Sequence, residues 1–132
     1  MTTHNYALFL DDRRQVYDVK WVQLSGDLNW LVAKSYGEFV SYIMDLGLPE
    51  FVSFDHDLAE IHYKVSIKEN YEPGPEYDYG TEKTGMDAVK WLVDYCMVHK
   101  KKFPKYAVHS LNGVASQRME DYIKKAKEQL DI

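Results

Sequence analysis

Three short segments, each about the length of a strand and each running into polar residues, constrain the fold most strongly. They cover residues 6–10, 51–54 and 106–109. Apolar runs of about four to eight residues are typical of strands that are buried on both faces. A weaker strand candidate covers residues 31–33. The chain therefore favours a sheet with a buried centre.

Helical patterns separate these segments. Ser35 is placed to cap a helix with an apolar stripe over residues 39–46, and Gly47 is placed to end it. Thr84 and Asn112 are placed to cap two further helices. Strands that alternate with helices indicate an α/β fold, with a small parallel sheet of about four strands and helices on both faces.

The length predicts one domain. The chain has 132 residues, and we expect residues 1–132 to fold around one core. Residues 59–83 have no clear helical or strand period, and residues 70–80 contain two prolines, two glycines and three tyrosines. This composition predicts an irregular loop or lid at about 59–83.

Charge and composition exclude several classes of protein. The chain has 16 Lys and Arg against 21 Asp and Glu, a net charge of -5, which argues against binding to a long nucleic-acid tract. A lone Cys96 excludes a disulfide framework and a cysteine zinc site. No apolar run approaches the ~20 residues of a membrane span, and the N-terminus lacks a signal-peptide pattern. We therefore expect a cytoplasmic protein without a membrane partner.

Polar side chains follow three of the predicted strands at the point where each strand ends. The carboxyl ends of parallel strands meet at one edge of a sheet, where open α/β folds bind their ligands. We therefore expect these side chains to lie close together, although strand-end aspartates can also merely cap a turn. The candidates are Asp11, Asp12 and Arg14 after the first strand, Asp55, His56 and Asp57 after the third, and His109, Ser110 and Asn112 after the fourth.

These residue types predict a metal site beside a phosphate site. Carboxylates as close as Asp11, Asp12 and Asp55 need a proton or a cation between them, and oxygen ligands favour Mg²⁺, Mn²⁺ or Ca²⁺. The nearby imidazoles would also suit Zn²⁺ or Mn²⁺. His56 and His109 suit general acid and base roles, since histidine changes charge near neutral pH. Asp57 is placed to orient a histidine, and the phosphate ligands would be Arg14, Ser110 and Asn112.

Four motifs give the chain a family resemblance. The acidic pair Asp11-Asp12, the aspartate Asp55 and the hydroxyl of Ser110 stand where response-regulator receiver domains have theirs. The chain more closely resembles a receiver-like family of bacteria and phages that is named for predicted cyclic-phosphate processing. Residues 8–14 resemble its LFLDDxR, 53–58 its DHDL, 84–92 its TGxD…KWL, and 108–119 its VHSxN…M. The resemblance implies a receiver- or flavodoxin-like three-layer fold.

The chain departs from these families at several points. Ala59 and Glu60 stand where the family often has glycines, and Gly113 stands where it commonly has proline. The stretch between Ala59 and Lys83 is longer than usual for the family. After Ser110 a single helix follows, without a fifth strand and its lysine, so the resemblance does not imply signalling by aspartyl phosphate.

The resemblance implies a function as well as a fold. We expect a metal-assisted phosphoesterase that acts on a cyclic phosphate, carried by a nucleotide or by an RNA end. It would act in the cytoplasm, and in the host cytoplasm if a phage encodes it. The alternative is a receiver-like module without catalysis, which binds a phosphorylated ligand, a nucleotide or a protein partner.

Overall fold

The computed structural model describes residues 6–58 and 83–132, and its centre is a four-stranded parallel sheet. The strands are β1 (Ala7–Leu10), β2 (Trp30–Ala33), β3 (Phe51–Phe54) and β4 (Lys105–Val108), in the spatial order β2-β1-β3-β4. This result confirms the predicted receiver-like α/β fold. The predicted lid at 59–83 lies, apart from Lys83, outside the described residues.

Three α-helices follow the strands, and their caps are the predicted ones. The helices are α1 (Tyr36–Leu46), α2 (Gly85–His99) and α3 (Gly113–Leu130). The Ser35 Oγ atom accepts a hydrogen bond from the Glu38 amide at 3.1 Å. Thr84 and Asp87 form a reciprocal capping box at the start of α2, and the Asn112 side chain caps α3. These bonds satisfy amides that a helix start leaves without partners.

The main core lies between one face of the sheet and the three α-helices. Alternate strand residues point to opposite faces, so Leu8, Leu10 and Phe54 share a face. The helical side chains packed with them include Phe39, Ile43, Leu92, Met119 and Ile123. All the described α-helices therefore lie on one face, whereas the sequence predicted helices on both. The connection from β1 to β2 contains a 3₁₀ turn at Val16–Asp18 and no α-helix, since it lacks a continuous apolar stripe.

Aromatic side chains cover much of the opposite face of the sheet. Trp30 packs edge-on against both Phe9 and Phe51, with ring centroids 6.2 and 5.7 Å away. The His109 imidazole stacks on Phe9 at 4.5 Å, with only 6° between the ring planes. The packing of this second face therefore holds a site residue in one orientation, directly at the carboxyl edge of the sheet.

Two further observations concern the lone thiol and the membrane. Cys96 is fully buried on the inner face of α2, within the main core. Across the described ranges, no helix combines the length and the apolar character that a membrane span needs.

Candidate functional site

Three of the predicted residues converge tightly at the carboxyl edge of the sheet. Asp11 follows β1, Asp55 follows β3 and His109 follows β4. Each offers a ligand atom that lies within 4.8 Å of the other two. Asp11 and His109 are completely buried, and Asp55 is 2% exposed. Two carboxylates and an imidazole therefore share one small buried volume.

Asp11 is held by backbone and side-chain donors together. Its Oδ1 atom accepts hydrogen bonds from the Arg13 and Arg14 amides, both at 2.8 Å. Its Oδ2 atom lies 3.0 Å from His109 Nε2 and 3.3 Å from Arg14 Nη1. Burial alone raises the pKa of Asp11, but these hydrogen bonds outweigh it and leave the pKa below its ordinary value. Asp11 is therefore ionised at neutral pH.

Asp55 has one oxygen without a hydrogen-bond partner. Its Oδ1 atom accepts a hydrogen bond from the His56 amide at 2.9 Å. Its buried Oδ2 atom has no such partner within the described parts of the chain, and Arg14 Nη1 lies 3.8 Å away, beyond hydrogen-bonding reach. Burial and the neighbouring charge of Asp11 raise the pKa of Asp55 to about 8. This carboxyl group therefore keeps its proton at neutral pH unless a cation replaces it.

Both ring nitrogens of His109 are engaged. Nδ1 lies 2.6 Å from the Ser53 Oγ atom, and Nε2 lies 3.0 Å from Asp11 Oδ2. Because an ionised carboxylate can only accept, Nε2 carries the proton here and the Ser53 hydroxyl donates to Nδ1. Burial lowers the pKa of His109, and this effect exceeds the opposite effect of Asp11. The imidazole is therefore neutral.

His56 and Asp57 form a second pair beside this group. His56 Nδ1 lies 2.7 Å from Asp57 Oδ1, and both side chains are buried. A carboxylate at this distance selects one tautomer and one orientation of an imidazole ring. Asp57 therefore orients His56. The sequence alone did not indicate which of the two histidines Asp57 would orient.

Arg14 and Asp12 lie farther out. The Arg14 side chain is 25% exposed, and its guanidinium lies near both Asp11 and Asp55. Asp12 pairs with Arg13 at 3.9 Å. Among the described residues, the converging group consists of Asp11, Asp55 and His109. A metal-ligand role for Asp12 stays a prediction.

Ser110 and Asn112 shape the start of α3. The Ser110 Oγ atom accepts a hydrogen bond from the Asn112 amide at 3.1 Å. The Asn112 Oδ1 atom accepts one from the Ala115 amide, also at 3.1 Å. Both residues are buried, and both follow His109 closely in the sequence. Their role in phosphate binding stays a prediction.

Sequence reasoning missed three residues of this site. Ser53 contacts His109, and its only signal was a single polar residue within the apolar run of β3. The Trp21 Nε1 atom donates to the His109 carbonyl oxygen at 2.7 Å, and no sequence signal indicated that contact. A Cβ atom on Gly85 would lie 1.8 Å from the Asp55 carbonyl oxygen, so only glycine fits there. Its position at the first residue of α2, directly after the capping Thr84, was the available signal.

The arrangement can bind a metal ion. Two buried carboxylates and one imidazole supply three ligand atoms, and the unpartnered Oδ2 atom of Asp55 is an acceptor that a cation would satisfy. A neutral histidine whose other nitrogen contacts a polar group is typical of metal ligands.

The comparisons agree with the motifs. The family model described as the cyclic-phosphate processing receiver domain matches residues 6–125. Neither the curated proteins nor the solved structures yield a match. The family match spans the whole sheet, the three helices up to residue 125 and every site residue discussed above. The chain therefore belongs to the family of cyclic-phosphate processing receiver domains.

Proposed function

We propose that this protein is a metal-assisted phosphoesterase that hydrolyses a cyclic phosphate, either of a nucleotide or at an RNA end. One observation carries the proposal. The unpartnered Oδ2 atom of Asp55 lies in a buried group with Asp11 and His109, at the ligand-binding edge of a fold whose family is tied to cyclic-phosphate processing. A buried acceptor of this kind calls for a cation, and a phosphate is the natural anionic ligand of such a cation.

The reaction would open the phosphate ring by water attack. The water oxygen forms a bond to phosphorus, and the bond from phosphorus to one ribose oxygen breaks. A general base takes one proton from the water, and the departing ribose oxygen receives a proton from a general acid. The products are a phosphomonoester and a free ribose hydroxyl, so no other reactant than water is needed.

Asp11, Asp55 and His109 are the residues that would hold the metal ion. A divalent cation, Mg²⁺ or Mn²⁺, would neutralise the charge that grows on the phosphoryl oxygens. Asp55 would lose its proton when the cation binds, since ligand carboxyls bind metals in the ionised form.

Proton transfer is assigned first to His56. Its Nδ1 atom is held by Asp57 at 2.7 Å, which fixes the ring as a catalytic histidine requires. The sequence also predicted proton transfer by His109. Ser53 and Asp11 engage both nitrogens of that ring, so such a role would require one of these contacts to break.

Arg14 is the strongest candidate for direct phosphate binding. Its guanidinium lies beside the two carboxylates and keeps part of its surface exposed. A guanidinium can give two parallel hydrogen bonds to a phosphate. Ser110 and Asn112, at the start of α3, would add polar groups near a helix N-terminus, where anions are favoured.

A substrate panel tests the proposal. Purified protein is incubated with cyclic mononucleotides and with RNAs that end in a 2′,3′-cyclic phosphate, in Mg²⁺, in Mn²⁺ and in EDTA. We expect ring opening of at least one substrate with metal and none in EDTA. His56→Gln should reduce turnover by roughly 10²- to 10⁴-fold, whereas Asp45→Asn, on the exposed surface of α1, should leave it unchanged. Absence of product from every substrate in the metal-loaded protein would contradict the proposal.

One observation favours the alternative of a non-catalytic module. Arg14 Nη1 lies 3.3 Å from Asp11 and 3.8 Å from Asp55, so a built-in cation already compensates part of the charge of Asp11. A site of this kind could hold a phosphorylated ligand without turnover. In that case a cyclic nucleotide should raise the melting temperature in EDTA and be recovered unchanged.

A further inference from the structure

We infer that His109 is a metal ligand that Ser53 holds in position, and that the site therefore selects a divalent transition-metal ion over Mg²⁺ and Ca²⁺. The inference deepens the proposed function, because it names the class of ion that the same site binds. It also gives Ser53 a positioning role that the motifs did not indicate.

Contacts to its ring and to its backbone hold His109 in place. It stacks on Phe9 with the ring planes 6° apart, and it is completely buried. Ser53 contacts its Nδ1 atom, and the Trp21 indole donates a hydrogen bond to its backbone carbonyl oxygen. The Nε2 atom consequently faces Asp11. A ring that is stacked on one face and contacted at both nitrogens suits a ligand better than it suits a group that moves protons between a substrate and water.

Ser53 can serve both states of this imidazole. Without a metal, its hydroxyl donates to Nδ1 while Nε2–H donates to Asp11. When a metal binds Nε2, the ring proton must be on Nδ1, and the same hydroxyl can rotate and accept from it, since a serine hydroxyl both donates and accepts. Metal-ligating histidines commonly make such a contact through their second nitrogen, and it fixes the tautomer.

Asp55 supplies an independent indication of a ligand. Its Oδ2 atom has no hydrogen-bond partner among the described residues, although the residue is only 2% exposed. Together with Asp11 and His109, Asp55 offers ligand atoms that all lie within 4.8 Å of one another. A buried acceptor without a partner is costly unless a cation or a proton satisfies it.

The donor set decides the class of ion. Mg²⁺ and Ca²⁺ prefer oxygen ligands only, and Mg²⁺ keeps several of its waters. An imidazole nitrogen shifts the preference toward transition metals, whose affinity for mixed nitrogen and oxygen ligands is higher. Arg14 would move aside on binding, which its partly exposed side chain permits. We therefore expect Mn²⁺ and Zn²⁺ to bind more tightly than Mg²⁺.

Metal titrations and pulsed electron paramagnetic resonance test the inference on the full chain. The protein is freed of metal with EDTA, dialysed, and titrated with Mn²⁺, Zn²⁺, Mg²⁺ and Ca²⁺ by calorimetry and thermal shift. Mn²⁺ and Zn²⁺ should raise the melting temperature at concentrations at which Mg²⁺ and Ca²⁺ have no effect. Bound Mn²⁺ should show coupling to an imidazole ¹⁴N nucleus, and this coupling should be absent in His109→Gln.

Serine variants test the positioning role. Ser53→Ala should weaken Mn²⁺ binding by roughly 10- to 100-fold, the usual effect of removing a residue that orients a metal ligand. Ser53→Thr, which keeps a hydroxyl, should restore part of the affinity. Ser41→Ala, on the exposed surface of α1, should bind Mn²⁺ like the unchanged protein.

Three results would overturn the inference: equal affinities for Mg²⁺ and Mn²⁺, bound Mn²⁺ without ¹⁴N coupling, or unchanged Mn²⁺ affinity in Ser53→Ala. If Ser53→Ala fails to fold, the ¹⁴N coupling in the unchanged protein decides. Bound Mn²⁺ that shows ¹⁴N coupling, in a protein that turns over no cyclic phosphate, would refute the proposed enzyme and support the ligand assignment. Turnover that is equally fast with Mg²⁺ and with Mn²⁺ would support the proposed enzyme and contradict the ligand assignment.

Discussion

Replacing Asp55 by asparagine in the metal-free protein should change how its stability depends on pH. Burial and the charge of Asp11 raise the pKa of Asp55 to about 8, well above that of an aspartate in the unfolded chain. The folded protein therefore holds a proton that the unfolded chain releases. The stability that this proton contributes is complete below the unfolded pKa and is lost as the pH rises toward 8.

The window from about pH 6.5 to 8 isolates this effect. The pKa of His109 is lowered from 6.5, so the stability it contributes is lost only as the pH falls below that value. The folded state holds close to one extra proton on Asp55 at pH 6.5 and about half a proton at pH 8, where the pH equals its pKa. One full proton corresponds to about 1.4 kcal/mol per pH unit, so with this falling occupancy the free energy of unfolding should decrease by about 1.5 kcal/mol across the window.

Urea unfolding at four pH values between 6.5 and 8, in EDTA, measures this dependence. The unchanged protein should lose stability as the pH rises. The free energy of unfolding of Asp55→Asn should depend less on pH, because an amide does not titrate. Asp45→Asn, on the exposed surface of α1, should keep the dependence of the unchanged protein. Added Mn²⁺ should oppose the loss, since the cation competes with the proton for Asp55.

Equal pH dependence in the unchanged protein and in Asp55→Asn would refute the reasoning. It would mean that Asp55 is not buried as a protonated group beside Asp11. A flatter curve in Asp45→Asn would also refute it, because the effect would then come from overall charge. The same titration in 1 M salt separates the two cases, since salt screens exposed charges far more than buried ones.

Three other predictions use different parts of the molecule. Gly85→Ala should lower the free energy of unfolding by about 3 kcal/mol in urea, since its Cβ would overlap a backbone carbonyl, whereas Gly113→Ala, with nothing within 4 Å, should be neutral or stabilising by about 0.5 kcal/mol. His56→Gln should reduce turnover by roughly 10²- to 10⁴-fold, and Asp57→Asn by less, with Mn²⁺ affinity measured by calorimetry unchanged in both. Burial raises the pKa of Cys96 to about 11, so a disulfide-forming thiol reagent should label it slowly in the folded protein and rapidly in urea.

Local patterns in the sequence predicted the elements of the fold well. Strand β3 lies where the apolar run placed it, and the other strand bounds differ by a residue. Ser35, Thr84 and Asn112 cap their helices as predicted. Such features depend on side chains within a few residues of one another, so the linear pattern contains the information.

The location of the site was also predictable, but the contacts between its atoms were not. Polar residues that follow parallel strands must meet at one edge of the sheet. This rule correctly predicts that Asp11, Asp55 and His109 lie close together. Which side chains supply ligand atoms close to one another depends on where each side chain points, and the order of residues does not reveal that.

The sequence by itself determined the strands, the helix caps and the edge at which the polar residues meet, because those depend on local chemistry and on one rule of topology. Only the tertiary structure decided which atoms face one another. The Ser53–His109 contact joins residues 56 positions apart, and the Asp11–His109 contact joins residues 98 positions apart. Both contacts follow from the lateral order of the strands and from the stacking of His109 on Phe9, which are products of packing over the whole sheet.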